Sequence, residues 1–477
     1  MTTTDLPSAS AVPTSAPGRA AYPDRRPRTV PRWWRDLSAA LLWAVLLWVT
    51  ALWVQGGGLT GIGTPAGLLT STGRLTGLVA SALLLVQVFL MARVPWFEQA
   101  WGQDGLARLH RTVGFTSFNL MWAHIVLITL GYAAASPKGL WGTIVGLVVD
   151  YPGMLLAVGG TVALCLVVVT SVKKARARLR YESWHLIHLY AYLGAGLALP
   201  HQLWTGKEFL TSPFATVFWW GLYAVAAGAI LVFRVCVPLW RSLRAPIVVH
   251  SVRPEGAGAT SVTVSGPGVA GLPVEAGQFL TWRFLDGTGW SRGNPFSVSA
   301  APDGSTLRLT AAHLGEGSAR LAALRPGTRV LVEGPYGRMH PGVRTRRKVL
   351  LMGAGIGIAP LRALLEALPQ EPGEVTVVQR ASSRDRLVLA DEIRSLAAQR
   401  GARHIVIEGP RVPGRDSWLP AQAAHLSDAE ALLELVPDVA DHDVFLCGAP
   451  PWMEAARQAA LDCGVPPENI HLERFAY

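Results

Sequence analysis

Long apolar runs in the first half of the chain constrain its fold more than any other feature. Between residues 37 and 236 of the 477-residue sequence, apolar stretches recur that approach the length of about 20 residues a helix needs to cross a bilayer. We predict six membrane-spanning helices, at 37–54, 74–92, 109–131, 153–172, 184–203 and 213–236. The first half is therefore expected to be an all-α six-helix transmembrane bundle.

The positions of Lys and Arg predict the orientation of this bundle, because cytoplasmic loops gather positive charge. Basic residues precede the first span, flank the loop after the second, fill "KKARARLR" (173–180) and follow the sixth span. The opposite loops hold little more than Lys138 and Lys207. We expect a multi-pass protein of the plasma (inner) membrane with both termini cytoplasmic. The net charge of +11 sits mostly beside the membrane, where it suits anionic lipid rather than nucleic acid.

Composition divides the chain into four predicted segments. Residues 1–36 are rich in Pro, Ala, Ser and Thr and predict a disordered cytoplasmic tail. Residues 37–244 form the transmembrane domain, 245–345 a small β-barrel and 346–477 an α/β domain. The four cysteines lie too far apart for a metal-binding or redox motif, which excludes an iron-sulfur cluster held by closely spaced cysteines.

Five histidines fall within the predicted spans, where an ionisable side chain is costly and is therefore a candidate functional residue. They are His110 and His124 on the third span and His185, His188 and His201 on the fifth. In an α-helix, fourteen residues separate His110 from His124 by about 21 Å and leave them within about 40° of one face. The thirteen residues between His188 and His201 span about 20 Å but leave the side chains about 140° apart. A bend or unwinding at Pro200 would rotate His201 inward.

The two pairs of histidines match in depth if both helices enter the membrane from the cytoplasm. His110 is then level with His188, and His124 with His201. Two histidines on facing helices can ligate a haem iron from both sides, so the pattern predicts two stacked b-type haems without an open coordination position, suited to single-electron transfer. The alternatives are hydrogen-bonded polar residues between helices or a proton relay, and we interpret His185 as such a hydrogen-bonded residue.

The second half of the chain has the pattern of a soluble protein. Short alternating runs such as "TSVTVS" and "FLTWRF", separated by Gly and Pro, predict a small antiparallel β-barrel. After it, "RKVLLMGAGIGIAPLRALLEAL" reads as a strand, a glycine-rich turn and a helix, an arrangement that lets the backbone approach a pyrophosphate. A tight turn without a ligand is the alternative. Further βα alternation follows in "EVTVVQR", "HIVIEG" and "DVFLCGAP".

Five motifs in this half occur in the order found in the ferredoxin-NADP reductase superfamily. They are "RGNPFSVSA", "GEGS", "GPYG", "GAGIGIAP" and "LCGAPPWM". The histidine spacings of the membrane half resemble those of the ferric reductase and NADPH oxidase transmembrane domain. The resemblance covers about residues 37–477 and implies a flavocytochrome that carries FAD, two b-type haems and a nicotinamide nucleotide.

The resemblance also implies roles for individual residues. The flavin-binding motif corresponds to Arg292, Asn294, Pro295, Phe296 and Ser297, and the segment that caps the FAD pyrophosphate to Gly317 and Ser318. Many membrane members have His where this chain has Asn294. The nicotinamide-nucleotide loop corresponds to Gly353, Gly355, Gly357 and Pro360, and the segment near the nicotinamide to Cys447 and Gly448. An aromatic residue near the C-terminus covers the flavin in this superfamily, and Phe475 fits that role better than Tyr477, with core packing as the alternative.

The preferred nucleotide is predicted from the end of "EVTVVQRASSRDR". The acidic residue that holds a ribose hydroxyl in NAD enzymes is missing there, and Arg380, Ser382 and Arg384 occupy the segment instead. A guanidinium suits a 2′-phosphate, so NADPH is favoured and NADH stays open. Solvated surface arginines are the alternative.

These expectations combine into an electron path. NADPH would reduce FAD in the cytoplasm, and electrons would cross through the two haems to an external acceptor such as ferric or cupric ion or oxygen. Ser297, Cys447 and Phe475 are the residues expected nearest the reacting groups. Two other functions stay open: a membrane-anchored flavin reductase that serves a cytoplasmic partner without haem, and a non-enzymatic haem-binding sensor. Neither the acceptor nor the oligomeric state follows from the sequence.

Overall fold

The computed structural model describes residues 33–176, 178–179, 181–210, 212–287 and 293–473. Its N-terminal part is helical. The helices are α1 (Trp33–Gln55), α2 (Pro65–Leu90), α3 (Pro95–Trp101), α4 (Gln103–Ala134), α5 (Gly139–Val149), α6 (Met154–Ser171), α7 (Lys173–Arg176), α8 (Tyr181–Thr205), α9 (Lys207–Leu210), α10 (Pro213–Ala229) and α11 (Val237–Arg244), with a π-helical segment, Ile230–Cys236, between the last two. Residues 33–36, predicted as part of a disordered tail, already belong to α1; residues 1–32 lie outside the described residues.

Local signals explain where two of the long helices begin. The side chain of Thr64 accepts a hydrogen bond from the Gly67 backbone N–H, and Pro65 follows at the first helical position of α2. Ser212 caps α10 in the same way, with Pro213 next. A capping hydroxyl satisfies a backbone donor at the helix start, and proline is tolerated there because its missing N–H has no partner inside the helix.

Five helical segments of the described chain are long and apolar enough to cross a membrane. They are Trp33–Gln55, Pro65–Leu90, Gly105–Ala134, Met154–Ser171 and Pro213–Arg244. A sixth long helix, α8, occupies the predicted fifth span but is not among them; it carries three histidines and several tyrosines. Six spans therefore stay a prediction. The helix α8 also continues through Pro200 to Thr205, so the unwinding suggested at Pro200 does not occur.

Two pairs of long helices pack closely along their lengths, α2 against α4 and α6 against α8. Helix α10 packs on α2, and α1 lies against α2 as well. Many large apolar side chains of the helical half face outward; Trp141 of α5 and Phe214 of α10 are 77% and 78% exposed. An apolar outer surface of this kind is what a bilayer requires.

The first sheet of the C-terminal part has six strands in the order β4-β3-β6-β1-β2-β5. The strands are β1 (Ile247–Pro254), β2 (Ala259–Ser265), β3 (Phe279–Phe284), β4 (Asn294–Ser297), β5 (Thr306–Ala312) and β6 (Arg329–Tyr336), and short helices α12 (Pro267–Ala270) and α13 (Glu316–Ala319) lie between them. Every pairing is antiparallel, as predicted. A single bridge between Val298 and Leu309 joins the two edges, so closure into a barrel stays a prediction.

The second sheet is parallel and has the order β11-β10-β7-β8-β9. Its strands are β7 (Lys348–Ala354), β8 (Val375–Ala381), β9 (Arg403–Glu408), β10 (His442–Cys447) and β11 (Ile470–Glu473), and its helices are α14 (Ile358–Ala367), α15 (Ala390–Arg400), α16 (Asp428–Leu435) and α17 (Pro450–Asp462). The chain winds from β7 outward to β9 and then returns to the other side of β7. The gap between the ends of β7 and β10 is therefore the point of the sheet at which open α/β folds bind ligands.

One buried core joins the two sheets. Val262 and Leu280 of the antiparallel sheet belong to the same apolar cluster as Leu361 of α14 and Phe445 of β10. The predicted boundary at residues 345 and 346 thus lies between elements that share a core. Division of the chain into four domains stays a prediction.

Candidate functional site

The imidazole rings of His110 and His188 face each other between α4 and α8. Their ring centroids are 6.1 Å apart and their planes are inclined by 62°. A metal-imidazole bond is about 2 Å long, so two imidazoles on opposite sides of one metal ion have centroids about 6 Å apart. The observed separation fits two ligands of one iron.

His124 and His201 form the second pair, near the other end of the same two helices. They lie close enough to interact electrostatically. His124 packs against α2 at Gly77, where a Cβ atom would come within 2.4 Å of the His124 Nδ1 atom. Glycine is therefore required at residue 77 for the ring to occupy its place.

All four histidines hold their rings through the Nδ1 atom. The Nδ1 atom of His110 lies 3.0 Å from the Gln87 carbonyl oxygen, and that of His124 lies 2.7 Å from the Gly73 carbonyl oxygen. The Nδ1 atom of His188 lies 3.4 Å from the Ser171 hydroxyl oxygen, and that of His201 lies 2.8 Å from the Thr205 hydroxyl oxygen. A ligand histidine is commonly oriented in this way, with its second nitrogen directed at the metal.

The donor set fits a haem iron at each pair. Among the described residues, the Nε2 atoms of these four histidines form no hydrogen bond, so each pair offers two unoccupied imidazole nitrogens. Helices α4 and α8 are not among the closely packed helix pairs, in contrast to α2 with α4 and α6 with α8. No group of three or more His, Cys, Asp or Glu side chains suited to a metal ion occurs in the described part of the chain.

A cleft between the two sheets brings three of the predicted flavin-binding residues together with the predicted nucleotide loop. It is lined from β4 by Pro295, Phe296 and Ser297, from the glycine-rich turn by Ile356 and from the start of α14 by Pro360. The Ser297 hydroxyl is buried and has no hydrogen-bond partner among the described residues. A buried hydroxyl without a partner is costly, so its presence here indicates a ligand atom that it would contact.

The two predicted flavin segments meet in space. A Cβ atom at Gly317 would lie 2.7 Å from the Asn294 Oδ1 atom, so "GEGS" and "RGNPFS" are adjacent. The Ser318 hydroxyl accepts hydrogen bonds from the backbone N–H groups of Leu314 and Gly315 and thereby fixes this turn. Arg292, the first residue of the flavin motif, lies outside the described residues.

The glycine-rich loop closes directly onto the end of β10. A Cβ atom at Gly357 would lie 2.2 Å from the Cys447 carbonyl oxygen and 2.7 Å from the Gly448 nitrogen. In the sheet, Gly353 of β7 pairs with Cys447. The predicted nucleotide loop and the predicted nicotinamide segment thus form one surface at the point where the sheet order reverses.

Cys447 is fully buried beside Glu473, its neighbour on β11. Burial, and then the negative charge of Glu473, raise the pKa of the Cys447 thiol well above its usual value. The sulfur is therefore a neutral thiol at physiological pH rather than a nucleophilic thiolate. Phe475 and Tyr477, which follow Glu473, lie outside the described residues.

The two arginines predicted to recognise a 2′-phosphate have different surroundings. Arg380 is buried, and its guanidinium donates hydrogen bonds to the backbone carbonyls of Trp418, Ala381 and Pro410. Arg384 lies in an exposed turn after β8. Arg380 thus fastens the loop after β9, and Arg384 is the arginine free to approach a ligand at the end of β8.

Several residues that shape these sites were not predicted from the sequence. Thr310 and Ala359 line the cleft, and the carbonyl groups of Gln87 and Gly73 orient two histidines. Thr205 had a visible signal, since residues four apart on a helix are neighbours and Thr205 follows His201 by four. Backbone carbonyl groups carry no signal in the sequence.

Comparison with known proteins agrees with this arrangement. Residues 76–199 match the family model described as "Ferric reductase like transmembrane component", and residues 351–458 match "Oxidoreductase NAD-binding domain". Ferredoxin-NADP reductase B of Sorangium cellulosum is 30% identical over 213 residues, which cover 42% of this chain and 85% of that protein. The chain is a ferric reductase-like membrane oxidoreductase with a ferredoxin-NADP reductase module.

Other relatives match the reductase module alone. The ferredoxin reductase component of 3-ketosteroid-9-alpha-monooxygenase from Mycobacterium tuberculosis is 30% identical over 204 residues, 42% of this chain and 54% of that protein. The chain therefore spans about half the length of that relative. The FAD/NAD-binding domain of nitric oxide dioxygenase from Vibrio cholerae is 24% identical, with a TM-score of 0.40 over 48% of this chain and 98% of that one.

These matches confirm the predicted family and an enzymatic, oxidoreductase function that uses flavin and a nicotinamide nucleotide. A non-enzymatic sensor is therefore not the function of the chain. The ferric reductase-like match contains His110, His124 and His188 but ends two residues before His201.

Proposed function

We propose that this protein is a transmembrane oxidoreductase that passes electrons from NADPH, through FAD and two b-type haems, to an acceptor on the far side of the membrane. Both termini and the reductase module would lie on the cytoplasmic side of the plasma (inner) membrane. Ferric or cupric ion and oxygen are the acceptors that suit such a protein.

The observation that carries the proposal is the pair of facing imidazoles at 6.1 Å, His110 and His188, together with the second pair deeper along the same helices. Hydrogen bonds at Nδ1 hold each ring, and Nε2 forms no hydrogen bond among the described residues. In a proton relay, each imidazole would exchange protons through both of its nitrogens. The four rings are hydrogen bonded on one nitrogen only, which favours the haem sites over a relay.

In the proposed sites, His110 and His188 hold one haem and His124 and His201 the other. Haem bound by two histidines supplies reversible one-electron transfer without an open position for a ligand on iron. The carbonyl groups of Gln87 and Gly73 keep two of the rings in the tautomer that leaves Nε2 unprotonated. The apolar helices around them exclude water and so favour transfer along the protein interior.

The reductase module would bind its two nucleotides side by side. Ser297 points its unpartnered hydroxyl into the flavin cleft, and the Asn294 and Gly317 contact encloses the diphosphate end. Gly353, Gly355 and Gly357 allow a second diphosphate to approach the N-terminal end of α14, whose dipole favours negative charge. The neutral Cys447 thiol, at the carboxyl end of β10, would lie beside the nicotinamide.

A second function is suggested by two relatives of the reductase module. The Mycobacterium tuberculosis and Sorangium cellulosum proteins are a ferredoxin reductase component and a ferredoxin-NADP reductase, so their module serves a soluble electron carrier. In this alternative, the helical half anchors a flavin reductase and its histidines bind no haem. Haem content separates the two functions.

The experiment is the absorption spectrum of the detergent-purified chain, oxidised and then after anaerobic addition of NADPH, with FAD and haem quantified. The proposal predicts sharp reduced bands of six-coordinate b-type haem at about two haems per FAD. A bleached flavin without haem bands, in protein produced with ample haem, would exclude the haem path and favour the anchored reductase.

A further inference from the structure

Charged side chains are buried at the junction between the helical half and the antiparallel sheet. Arg93, in the turn between α2 and α3, has a backbone φ of 63°, a left-handed conformation that non-glycine residues rarely adopt. Such a conformation persists where the surroundings hold the residue in place. The contacts of Arg93 identify what holds it.

The Arg93 guanidinium lies between one residue from each half of the molecule. From the helical half, Glu98 of α3 accepts a hydrogen bond from Nη1 at 3.2 Å, and the Glu98 side chain is 6% exposed. From the sheet, the Tyr336 ring of β6 lies under the guanidinium at 4.1 Å from its centroid. A planar guanidinium can pair with a carboxylate and stack on an aromatic ring at once, which an ammonium group cannot do equally well.

The contact continues from Tyr336 toward the flavin-binding strand. The Tyr336 hydroxyl donates to Glu333 at 2.9 Å, and Glu333 pairs with Arg283 of β3 at 3.3 Å. Strand β3 pairs directly with β4, which begins at Asn294, and a Cβ atom at Gly293 would lie 3.1 Å from the Arg283 guanidinium carbon. Arg93 is thus connected by successive contacts to the strand that carries Ser297.

The opposite end of the same junction leads to the first histidine pair. His185 of α8 interacts electrostatically with Arg283 and with Arg234, and it precedes His188 by three residues. Arg241 of α11 also donates to the Gly334 carbonyl oxygen of β6 at 3.3 Å. The junction therefore lies between the flavin strand and the His110 and His188 pair.

Glu98 depends on Arg93 for its charge. Burial raises the pKa of Glu98 to about 7 even though Arg93 is adjacent, and its second carboxyl oxygen has no hydrogen-bond partner among the residues that the structure describes. Glu333, Tyr336 and Arg234 are the other ionisable groups that face it. Removal of Arg93 would raise the pKa of Glu98 further and leave Glu98 protonated, so the ion pair that ties α3 to the Arg93 turn would be lost.

We propose that Arg93 is a positioning residue that seats the flavin-binding sheet on the helical half, through Glu98 on one side and Tyr336 on the other, and so sets the approach of the flavin to the His110 and His188 pair. This inference rests on the proposed function. Arg93 touches neither cofactor site and acts through the seating of the two halves. Tyr336, the tyrosine of the "GPYG" motif, is a positioning residue for the same reason.

The test compares Arg93→Ala, Arg93→Lys and Arg253→Ala in the full-length chain loaded with FAD and haem. Arg253 is an exposed arginine of β1, so its replacement controls for the loss of one positive charge. After anaerobic mixing with NADPH, bleaching of the flavin and reduction of the haem are followed separately. FAD and haem contents equal to those of the wild type establish that each variant is folded.

Arg93→Ala is expected to leave flavin bleaching and the KM for NADPH within about twofold of the wild type. It should slow haem reduction by about tenfold or more, because misplacement of reacting groups by about 1 Å is enough to reduce a rate by that amount. Arg93→Lys should fall between the two, since Lys keeps the ion pair and loses the planar stack. Haem reduction at the wild-type rate in Arg93→Ala would overturn the inference, and so would equal slowing of flavin and haem. If wild-type protein bleaches its flavin but never reduces haem, the proposed function itself fails, and the inference fails with it.

Discussion

The two halves of the molecule differ in where their large apolar side chains lie. In the reductase module, apolar side chains define the interior: Val349, Leu351 and Phe445 are fully buried, and Leu314 and Leu433 are the large apolar side chains found exposed among the described residues from 245 onward. In the helical half, apolar side chains such as Trp141 cover the outside. There the interior holds histidines, small residues and hydroxyl groups beside apolar clusters such as that of Trp53 and Trp219.

The difference follows from the solvent. Water drives apolar residues together in the reductase module, whereas lipid is as apolar as leucine and gives no such drive. Helices in lipid associate through close backbone approach and polar contacts, as Gly77 against His124 illustrates. A polar residue therefore indicates function more strongly in the helical half, and a buried unpartnered polar group does so in the reductase module.

The largest effect is expected from the histidines, because they have no other evident partner for Nε2. Replacement of His110 or His188 by Ala should remove one haem, and replacement of His124 or His201 the other, so that haem per FAD falls from about two to about one in each case. Flavin bleaching by NADPH should persist in all four variants. Haem is measured from its pyridine complex.

His185→Ala provides the matched control on the same helix. It should retain both haems, because His188 rather than His185 faces His110. A His185 variant that loses a haem while His188→Ala retains both would reverse the assignment of the ligand.

In the reductase module, the largest effect should come from close packing rather than from a polar group. A methyl group at Gly357 would collide with the Cys447 carbonyl oxygen at 2.2 Å, so Gly357→Ala should reduce NADPH-driven flavin bleaching by about 100-fold, the scale expected when a bound group is displaced by about 1 Å. Gly271→Ala is the control, since the nearest atom to a Cβ there is 3.9 Å away. Stopped-flow kinetics measure flavin bleaching in both variants. Equal rates in Gly357→Ala and Gly271→Ala would contradict the close contact between the glycine-rich loop and β10.

Ser297 and Ser299, two residues apart, offer a sharper test of the unpartnered hydroxyl. Ser297→Ala should slow flavin bleaching about tenfold and leave the melting temperature unchanged, because its hydroxyl has no partner in the described part of the chain. Ser299 hydrogen bonds with Thr310 at 2.8 Å and Arg308 at 3.1 Å, so Ser299→Ala should cost about 1 kcal/mol of stability with little effect on flavin bleaching. The reverse pattern would place the flavin elsewhere.

The smallest effect on activity is expected from replacement of the arginine proposed to contact the 2′-phosphate of NADPH. Arg384→Ala should raise the KM for NADPH about fivefold and leave that for NADH unchanged, since an exposed ion pair contributes about 1 kcal/mol or less. Arg380→Ala should instead lower the melting temperature, because Arg380 fastens backbone carbonyl groups. A larger increase in the KM for NADPH in Arg380→Ala than in Arg384→Ala would indicate that Arg380 contacts the phosphate.

Much of the fold could be predicted from periodicity and turn residues. Six runs of alternating apolar residues coincide with β1 to β6, and "EVTVVQR" and "HIVIEG" with β8 and β9. The start of α1 was placed too late, because Trp33 and Trp34 precede the apolar run. The short helix α5 between the third and fourth predicted spans was missed, since its eleven residues are too few to cross a membrane.

The sites were harder to predict where they depend on tertiary contacts. The 140° phase difference between His188 and His201 suggested a break at Pro200, yet α8 runs through it. Arg380 and Arg384 look alike in the sequence, and burial alone separates them. The Arg93, Glu98 and Tyr336 contact joins residues more than 200 positions apart, so no local pattern could reveal it.

Electron transfer across a bilayer is the central claim, and sealed proteoliposomes with ferricyanide trapped inside test it most directly. NADPH added outside cannot cross the membrane and reaches only the molecules whose reductase module faces outward. The account predicts consumption of the internal ferricyanide, abolished in the double variant His110→Ala, His124→Ala although its flavin still bleaches. Reduction of ferricyanide added outside, with the internal pool untouched in the wild type, would contradict it.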